Sequence, residues 1–246
     1  ESIQLQILFA KSEREELTAY EKLITEHKIK NIVLQNIKTN DKRIEILNNY
    51  NINFVAWGKT KEKRNYSWVD LDNDNAIKII INYLIKKNHS HIAYINISEK
   101  YNFANERKSS FLKNLKLNNI KFNPNYYASV KLEEPEKSFE VIKKMLKKNK
   151  KISAIICSTE FSALSAIKAC NHLNYKIGKD ISIITFDGAL VKDLSSPPIT
   201  AVSFPVKELG KRAINILLNK GKSKNESDNY LAKTEIIERG SVHIVS

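Results

Sequence analysis

The sequence has few of the residues and patterns that mark several classes of protein. Only two cysteines occur in 246 residues. Cys157 lies in an apolar run and Cys170 in a helical stretch, so we expect two buried thiols, with no disulfide framework and no cysteine-based zinc site. No apolar run reaches the roughly 18 residues that a membrane helix needs, and no basic-then-apolar leader opens the chain. These absences predict a soluble, cytoplasmic protein without a membrane partner.

The signatures of common catalytic sites are also missing. The six glycines form neither a phosphate-binding loop nor a Gly-x-Ser-x-Gly elbow. The five histidines lack metal-ligand spacing, and no close pair of acids falls where a ligand is expected. We therefore predict no metal, no cofactor and no catalytic residue, while an α/β enzyme acting on sugars or nucleotides stays open as an alternative.

The formal net charge of +14 has two interpretations. One is a basic surface that neutralises nucleic-acid phosphates. The lysines, however, are spread over nearly every predicted helix and mostly fall opposite its apolar stripe, as in Lys143-Lys144 and Lys147-Lys148. This distribution favours solvated helix faces, so the charge alone does not identify a partner.

The first quarter of the chain alternates short apolar runs with amphipathic stretches. Such βα repeats predict a parallel sheet. A charged loop or linker, Lys59 to Asn65, follows them, and Ser67 to Leu71 leads out of it as a short extended piece. The predicted strands are Ile3–Phe9, Ile32–Leu34 and Phe54–Trp57, and the predicted helices are Glu13–His27 and Asp41–Tyr50.

From Asp72 onward the helical pattern is clearer. Ala76, Ile79, Ile80, Tyr83 and Leu84 form an apolar stripe, and further βα repeats follow it. The predicted strands are His91–Ile97, Tyr126–Val130, Ile152–Cys157, Ile181–Phe186 and Ala201–Phe204, with short terminal strands at Thr234–Ile237 and Val242–Ile244. The predicted helices are Ala104–Leu117, Glu136–Lys148, Phe161–Leu173 and Val206–Leu218, and a polar loop covers Gly221–Asp228.

Two groups of βα units predict two doubly wound parallel-sheet lobes with a ligand cleft between them. In such sheets ligands bind beyond the carboxyl ends of the strands. The segments in that position carry a guanidinium, carboxylates and aromatic rings, which suit a polyhydroxylated ligand. They are Trp57 to Lys59, Ser98 to Arg107, Ser158 to Glu160, and Asp187 with Gly188.

Each of these residues also has a purely structural interpretation. Arg107 could be a surface helix arginine, and Asp187 a turn residue or helix cap. Trp57 and Phe103 could belong to the core. Thr159 is expected to cap the following helix whatever else it does.

The stretch from Ile181 to Leu218 combines three motifs in an unusual order. They are a strand ending in Phe186-Asp187, the segment Pro197-Pro198-Ile199-Thr200, and a helix containing Glu208-Leu209-Gly210. It closely resembles the lactose-repressor/galactose-repressor (LacI/GalR) family of transcriptional regulators. Three further stretches look like elements of the same family. They are His91 to Ile95, Phe103 to Phe111 and Ile155 to Ala166.

The resemblance implies a periplasmic-binding-protein-like fold with lobes of residues 1–70 plus 206–225 and 71–205 plus 226–246. It implies an effector-binding arginine at Arg107 and a sugar-binding aspartate at Asp187. The chain departs from the family pattern at Trp57-Gly58-Lys59, Ser110, Thr159-Glu160, Gly188 and Phe204. Taken together, the strand-end segments and the positions that correspond to the family's binding site give these expected effector contacts: Trp57, Lys59, Phe103, Arg107, Thr159, Asp187 and Phe204.

By the same resemblance, the expected function is the effector-binding and dimerisation domain of a LacI-type regulator. A small sugar, with an α-glucoside as the specific expectation, would allosterically control DNA binding in a homodimer. Operator DNA would be read only by a helix-turn-helix domain upstream of this chain, so the chain itself is not expected to bind DNA specifically. The alternative is a periplasmic-type sugar-binding protein of a transporter.

Overall fold

The computed structural model describes residues 10, 12–62, 65–132, 134–186, 195–219 and 228–245. The chain divides into two compact units, and each is built from two separate stretches. Unit 1 contains residues 1–70 and 207–230, and unit 2 contains residues 71–206 and 231–246. Within the described residues, no helix combines the length and the apolar character needed to span a membrane.

In the described part of the chain, unit 1 is built on a four-stranded sheet with the order β1-β2-β3-β9, in which β1, β2 and β3 are parallel. Its core consists of apolar residues from β1, β2 and α2, including Leu34, Ile44, Leu47 and Phe54, all buried. The strands are β1 (Asn31–Leu34), β2 (Asn53–Trp57), β3 (Ser67–Leu71) and β9 (Asn229–Ala232), and the helices are α1 (Glu13–Thr25), α2 (Lys42–Asn49) and α7 (Val206–Asn219).

The sheet of unit 2 has six strands among the residues that the structure describes, in the order β10-β8-β7-β6-β4-β5, and of these only β10 is antiparallel to its neighbour. Every residue of β4, β6 and β7 is buried, as expected for strands covered on both faces. The strands are β4 (Ile92–Ile97), β5 (Tyr127–Val130), β6 (Ala154–Cys157), β7 (Ser182–Phe186), β8 (Thr200–Val202) and β10 (Ile236–Ile237). The helices are α3 (Asn73–Lys86), α4 (Asn102–Leu117), α5 (Lys137–Lys148) and α6 (Glu160–His172), with a single 3-10 turn at Pro124–Tyr126.

The predicted α/β class with parallel sheets is confirmed, and most predicted helices and strands lie within two residues of their observed ends. The predicted strand Ile3–Phe9 lies outside the described residues. Pro197 and Pro198 lie between β7 and β8, as predicted, and a cis peptide bond precedes Pro197.

Three details of the prediction are wrong. The buried stripe of α3 runs through Ile77 and Ile81, whereas Ile79 and Tyr83 are only half-buried, because the buried face is rotated around the helix axis relative to the predicted stripe. The spacing of Val206, Leu209, Ala213 and Leu217 predicts the apolar stripe of α7, but Val206 is exposed, and Ile216 is buried together with the other three. Strand β9 was not predicted, since its alternation of Tyr230 and Ala232 is too short to stand out.

The predicted strand Val242–Ile244 is also wrong, because this segment is hydrogen-bonded without forming a ladder. The His243 N–H donates to the Ser182 hydroxyl (3.1 Å), and the Val245 N–H donates to the Lys87 carbonyl (2.9 Å). Main-chain groups that bond to side chains and to a helix end cannot pair with a neighbouring strand.

Candidate functional site

The carboxyl ends of β4, β6 and β7 lie side by side, because these strands are parallel neighbours in unit 2. The segment after β4 leads into α4, and the segment after β6 leads into α6. Phe186 ends β7, so side chains from three consecutive strand ends meet at one edge of the sheet.

Arg107 of α4 lies at this edge with only 5% of its surface exposed. Its guanidinium carbon is 3.5 Å from the centroid of the Phe186 ring and 5.0 Å from that of Phe103. Nε donates to Asn73 Oδ1 (2.7 Å), and Nη1 donates to the Ser158 carbonyl (3.2 Å). Arg107 is therefore not a surface helix arginine. It is a buried cation whose plane is fixed by aromatic rings and two hydrogen bonds.

Asn73 is a member of this cluster that the sequence did not suggest. It is the first residue of α3 and is buried, and its Nδ2 donates to the Leu71 carbonyl (3.1 Å) and to Glu106 Oε2 (3.4 Å). The feature of the sequence that could have pointed to Asn73 is its position, directly after Asp72 at the junction of a strand and a helix.

Thr159 caps α6, which confirms that part of its predicted role. Its Oγ1 accepts from the Ser162 N–H (3.2 Å), and Ser162 Oγ accepts from the Thr159 N–H (3.1 Å). This reciprocal capping box orients both hydroxyls at the start of the helix. A contact between Thr159 and an effector stays a prediction.

The remaining predicted residues of unit 2 are placed as follows. Phe103 is half-buried and stacks on Tyr101 with ring centroids 6.1 Å apart. Phe204 is half-buried two residues after β8, and its carbonyl accepts from the Val206 N–H (2.7 Å). Asp187 lies outside the described residues.

Trp57 and Lys59 belong to unit 1. Trp57 is half-buried at the end of β2 and pairs with Val69 of β3. The Lys59 ammonium is 3.9 Å from the Asp70 carboxylate and 5.5 Å from the centroid of the Trp68 ring. Lys59 is thus held against unit 1 by a partly buried ion pair and a cation–π contact.

The backbone conformation between Trp57 and Lys59 requires a glycine at position 58. Gly58 has a φ of +112°, which side-chain-bearing residues rarely adopt. A Cβ atom here would also lie 3.2 Å from Ile37 Cγ1. The glycine is therefore required by the backbone and by the close approach of Ile37.

The thiols and possible metal ligands provide no additional site in the described part of the chain. Cys157 and Cys170 are buried and free, as predicted. Burial raises the pKa of Cys170 to about 12 and that of Cys157 further still, with a smaller contribution from the neighbouring Cys170. Both remain neutral thiols at physiological pH. Among the residues that the structure describes, no group of three His, Cys, Asp or Glu side chains could hold a metal ion.

The family described as periplasmic binding protein-like domain matches residues 81–242. The two units with largely parallel sheets agree with this class of protein. Among characterised relatives, the HTH-type transcriptional regulator AglR of Rhizobium meliloti (strain 1021) is 27% identical over 243 residues, which is 96% of this chain and 67% of AglR.

Two solved structures extend the comparison. A regulatory protein of the LacI family from Chloroflexus aggregans is 25% identical with a TM-score of 0.81, covering 95% of this chain and 84% of that one. The transcriptional regulator CelR in complex with cellobiose shares the fold, with a TM-score of 0.86 at 18% identity, over 94% of this chain and 71% of that one. The chain belongs to the LacI/GalR family and corresponds to its effector-binding domain. It spans about two thirds of the length of AglR, and a smaller share of some other regulators of this kind.

Proposed function

We propose that this chain binds a small neutral sugar and, as the effector domain of a LacI-type transcriptional regulator, controls DNA binding by a helix-turn-helix domain. The observation that carries the proposal is the fixed guanidinium of Arg107 at the carboxyl edge of the unit 2 sheet. A planar guanidinium can donate to adjacent hydroxyls, and flat aromatic faces suit the apolar face of a sugar ring.

The chemistry of the surrounding residues supports a sugar more than a charged ligand. Phe103 and Phe186 flank the cation. The Asn73 side chain bonds to it, as does the carbonyl of Ser158, the residue before Thr159. The fold shared with the CelR–cellobiose complex supports the same class of ligand. We propose an α-glucoside as the specific effector, contacted by Trp57, Lys59, Phe103, Arg107, Thr159, Asp187 and Phe204.

The proposed mechanism is a shift of population. An effector that binds one arrangement of the two units more tightly than another biases the equilibrium by that difference in affinity. In a homodimer this shift would change how the DNA-binding domains are presented to an operator. The relatives are transcriptional regulators, which favours this role over a transporter's binding protein or an enzyme.

The test is calorimetric titration of the purified chain with glucose, maltose, trehalose and cellobiose. We expect one of the α-linked sugars to bind, and Arg107→Ala to weaken that binding at least about 100-fold, since the lost donors are charged and buried. Asp187→Ala is expected to behave similarly. Arg212→Ala provides a matched control, because Arg212 is an exposed arginine of α7 in unit 1. Wild-type affinity in both site variants would refute the site.

A further inference from the structure

Strand β4 carries two polar side chains inside an otherwise apolar, fully buried strand. Tyr94 is 0% exposed and Asn96 is 1% exposed. Both point to the same face of the sheet, because they are two residues apart on a strand. Burying polar groups here costs free energy unless each is hydrogen-bonded, so their bonds indicate what they do.

The Asn96 side chain has four polar partners, one for each hydrogen-bonding position of a carboxamide. Its Oδ1 lies within hydrogen-bond distance of the hydroxyls of Tyr94 (3.1 Å) and Ser158 (2.7 Å), which are 2.8 Å from each other. Two hydroxyl protons serve these three contacts, so Oδ1 accepts from at least one of the two hydroxyls. Its Nδ2 donates to the Ala104 carbonyl (2.9 Å) and to the Tyr127 hydroxyl (3.1 Å).

The orientation of this amide is fixed by its outer neighbour. Tyr127 donates its single proton to the Glu99 carboxylate, so its oxygen must accept from Asn96 Nδ2. Lys108 also donates to Glu99 (3.1 Å) and holds that carboxylate in place. Burial raises the pKa of Tyr94, with a smaller opposing effect of Arg107, so its hydroxyl remains a donor near neutral pH.

Two of the partners of Asn96 belong to the elements that hold Arg107. Ala104 lies in the first turn of α4, three residues before Arg107. Ser158 follows β6, and its carbonyl accepts from Arg107 Nη1. The Asn96 carboxamide therefore ties the first turn of the arginine's helix to the strand end that the guanidinium contacts.

We propose that Asn96 is a positioning residue for Arg107: through Ala104 and Ser158 it fixes the guanidinium in the geometry that receives the effector. This inference rests on the proposed role of Arg107 as an effector contact. Tyr94 supports the same geometry by orienting the carboxamide.

The first readout needs no ligand. In ¹H–¹⁵N spectra of the arginine Nε–H region, Arg107 should give a slowly exchanging signal, because its Nε–H is buried and bonded to Asn73. Arg107→Lys assigns that signal by removing it. Asn96→Leu should shift the signal and accelerate its exchange with water. Ser182→Ala is the control. Ser182 is as buried as Asn96 but lies at the amino end of β7, away from the carboxyl ends of the strands where Arg107 lies, so its loss should leave the signal unchanged.

The second readout is calorimetric affinity for whichever of glucose, maltose, trehalose and cellobiose the wild-type chain binds best. Asn96→Leu should weaken that affinity about tenfold and Tyr94→Phe roughly threefold, as expected for the loss of several buried hydrogen bonds or of one. Ser182→Ala should bind as the wild type does.

The outcomes separate the two proposals. A folded Asn96→Leu chain with an unchanged Arg107 signal and unchanged affinity would overturn the positioning role. If Asn96→Leu does not fold, Tyr94→Phe decides by the same readouts, since it keeps the ring and its contact with Phe111. If the signal moves but the wild type binds none of these sugars, Asn96 positions Arg107 and the proposed sugar specificity fails.

Discussion

Arg43 and Asp41 form a buried ion pair at the start of α2 in unit 1. Arg43 Nε and Nη2 donate to the two carboxylate oxygens of Asp41 (2.9 and 2.6 Å). Nη1 donates to Glu16 of α1 (2.8 Å), and Nη2 also bonds to the Gln35 and Asn36 carbonyls (3.0 Å each). The pair thus links α2 to α1, a helix that contributes no fully buried residue of its own.

Asp41→Asn should destabilise unit 1 by about 3 kcal/mol, because it leaves the buried Arg43 charge without its main partner. Both tryptophans of the chain, Trp57 and Trp68, lie in unit 1, so urea unfolding followed by tryptophan fluorescence reports this unit. The exposed Glu13 makes a 3.5 Å ion pair with Lys38, and Glu13→Gln should cost less than about 0.5 kcal/mol. Equal losses of stability in Asp41→Asn and Glu13→Gln would contradict the larger stabilising role given to the buried Asp41–Arg43 pair.

The same pair predicts a response to acid. Burial raises the pKa of Asp41, but the hydrogen bonds from Arg43 and from the Lys38 N–H outweigh it, so the net pKa is below its ordinary value of 3.8. A carboxyl whose pKa is lowered by folding contributes stability above its unfolded pKa and loses it as the pH falls further. The tryptophan-detected stability of unit 1 should therefore fall below about pH 4, and this part of the fall should be absent in Asp41→Asn.

His89 makes the stability of unit 2 depend on pH in a higher range than Asp41 does for unit 1. It is 2% exposed, its Nε2–H donates to the His243 carbonyl (3.1 Å), and its Nδ1 accepts from Ser153 (2.9 Å). Burial lowers its pKa to about 4, against a smaller opposing effect of the His243 carbonyl. The neutral form is therefore the one that stabilises the fold.

Unit 2 should lose about 2 kcal/mol between pH 7 and pH 5, since the unfolded chain takes up the proton first. Hydrogen exchange of the amides of β6 and β7 measures this loss. His89→Gln should show a smaller dependence on pH over that interval, and an identical dependence in both chains would exclude His89 as its source.

Sequence reasoning identified residues that carry an unmistakable pattern and missed those defined by three-dimensional contacts. Arg107 was found because it falls on a family motif, and Thr159 because a threonine before a helix is a typical cap. Asn73 was passed over as part of a helix start, and Asn96 as one polar residue in an apolar strand. Their importance depends on partners 34 and 62 residues away in the chain, which no local pattern encodes.

At the scale of elements, the capping box of α6 separates two roles of Thr159. Thr159→Ala should cost about 1 kcal/mol by removing the cap, whereas Thr159→Ser keeps the hydroxyl. Hydrogen exchange of the first turn of α6 should therefore accelerate only in the alanine variant. If Thr159→Ser keeps the cap but weakens sugar binding, the lost methyl group contacts the effector. Equal exchange in both variants would contradict the capping role.

Helices and strands could be predicted from the sequence where a regular hydrophobic pattern extends over many residues. The helices and the central strands of unit 2 meet that condition, so their positions were correct. Strand β9 has four residues and pairs beside β3, more than 150 residues earlier. The segment Val242–Ile244 has strand-like composition, but the side chains of Ser182 and His89 bond to the main-chain groups of His243. In both cases the deciding contact is distant in sequence.

At the scale of the whole molecule, we propose that exposed apolar residues of α7 belong to the homodimer interface. Leu218 is 64% exposed, and Ile214, one turn earlier, is also exposed. Leu218→Asp should shift the chain from dimer to monomer in sedimentation velocity, because a charge within an apolar interface is left desolvated. Asn215→Asp adds the same charge at an exposed polar position of this helix and should leave the dimer intact. A monomeric wild type at micromolar concentration would exclude this interface.

The interleaving of the two units has a consequence for synthesis on the ribosome. Strands β1, β2 and β3 emerge well before β9, the strand beside β3 in the same sheet, which begins only at Asn229. The sheet of unit 2 likewise waits for β10 at Ile236–Ile237. Domains normally fold one after another as they emerge. Here β9 and β10 both come from residues 229–237, so translation that stops before Asn229 leaves each described sheet without one of its strands, and the unfinished units are open to chaperones and proteases.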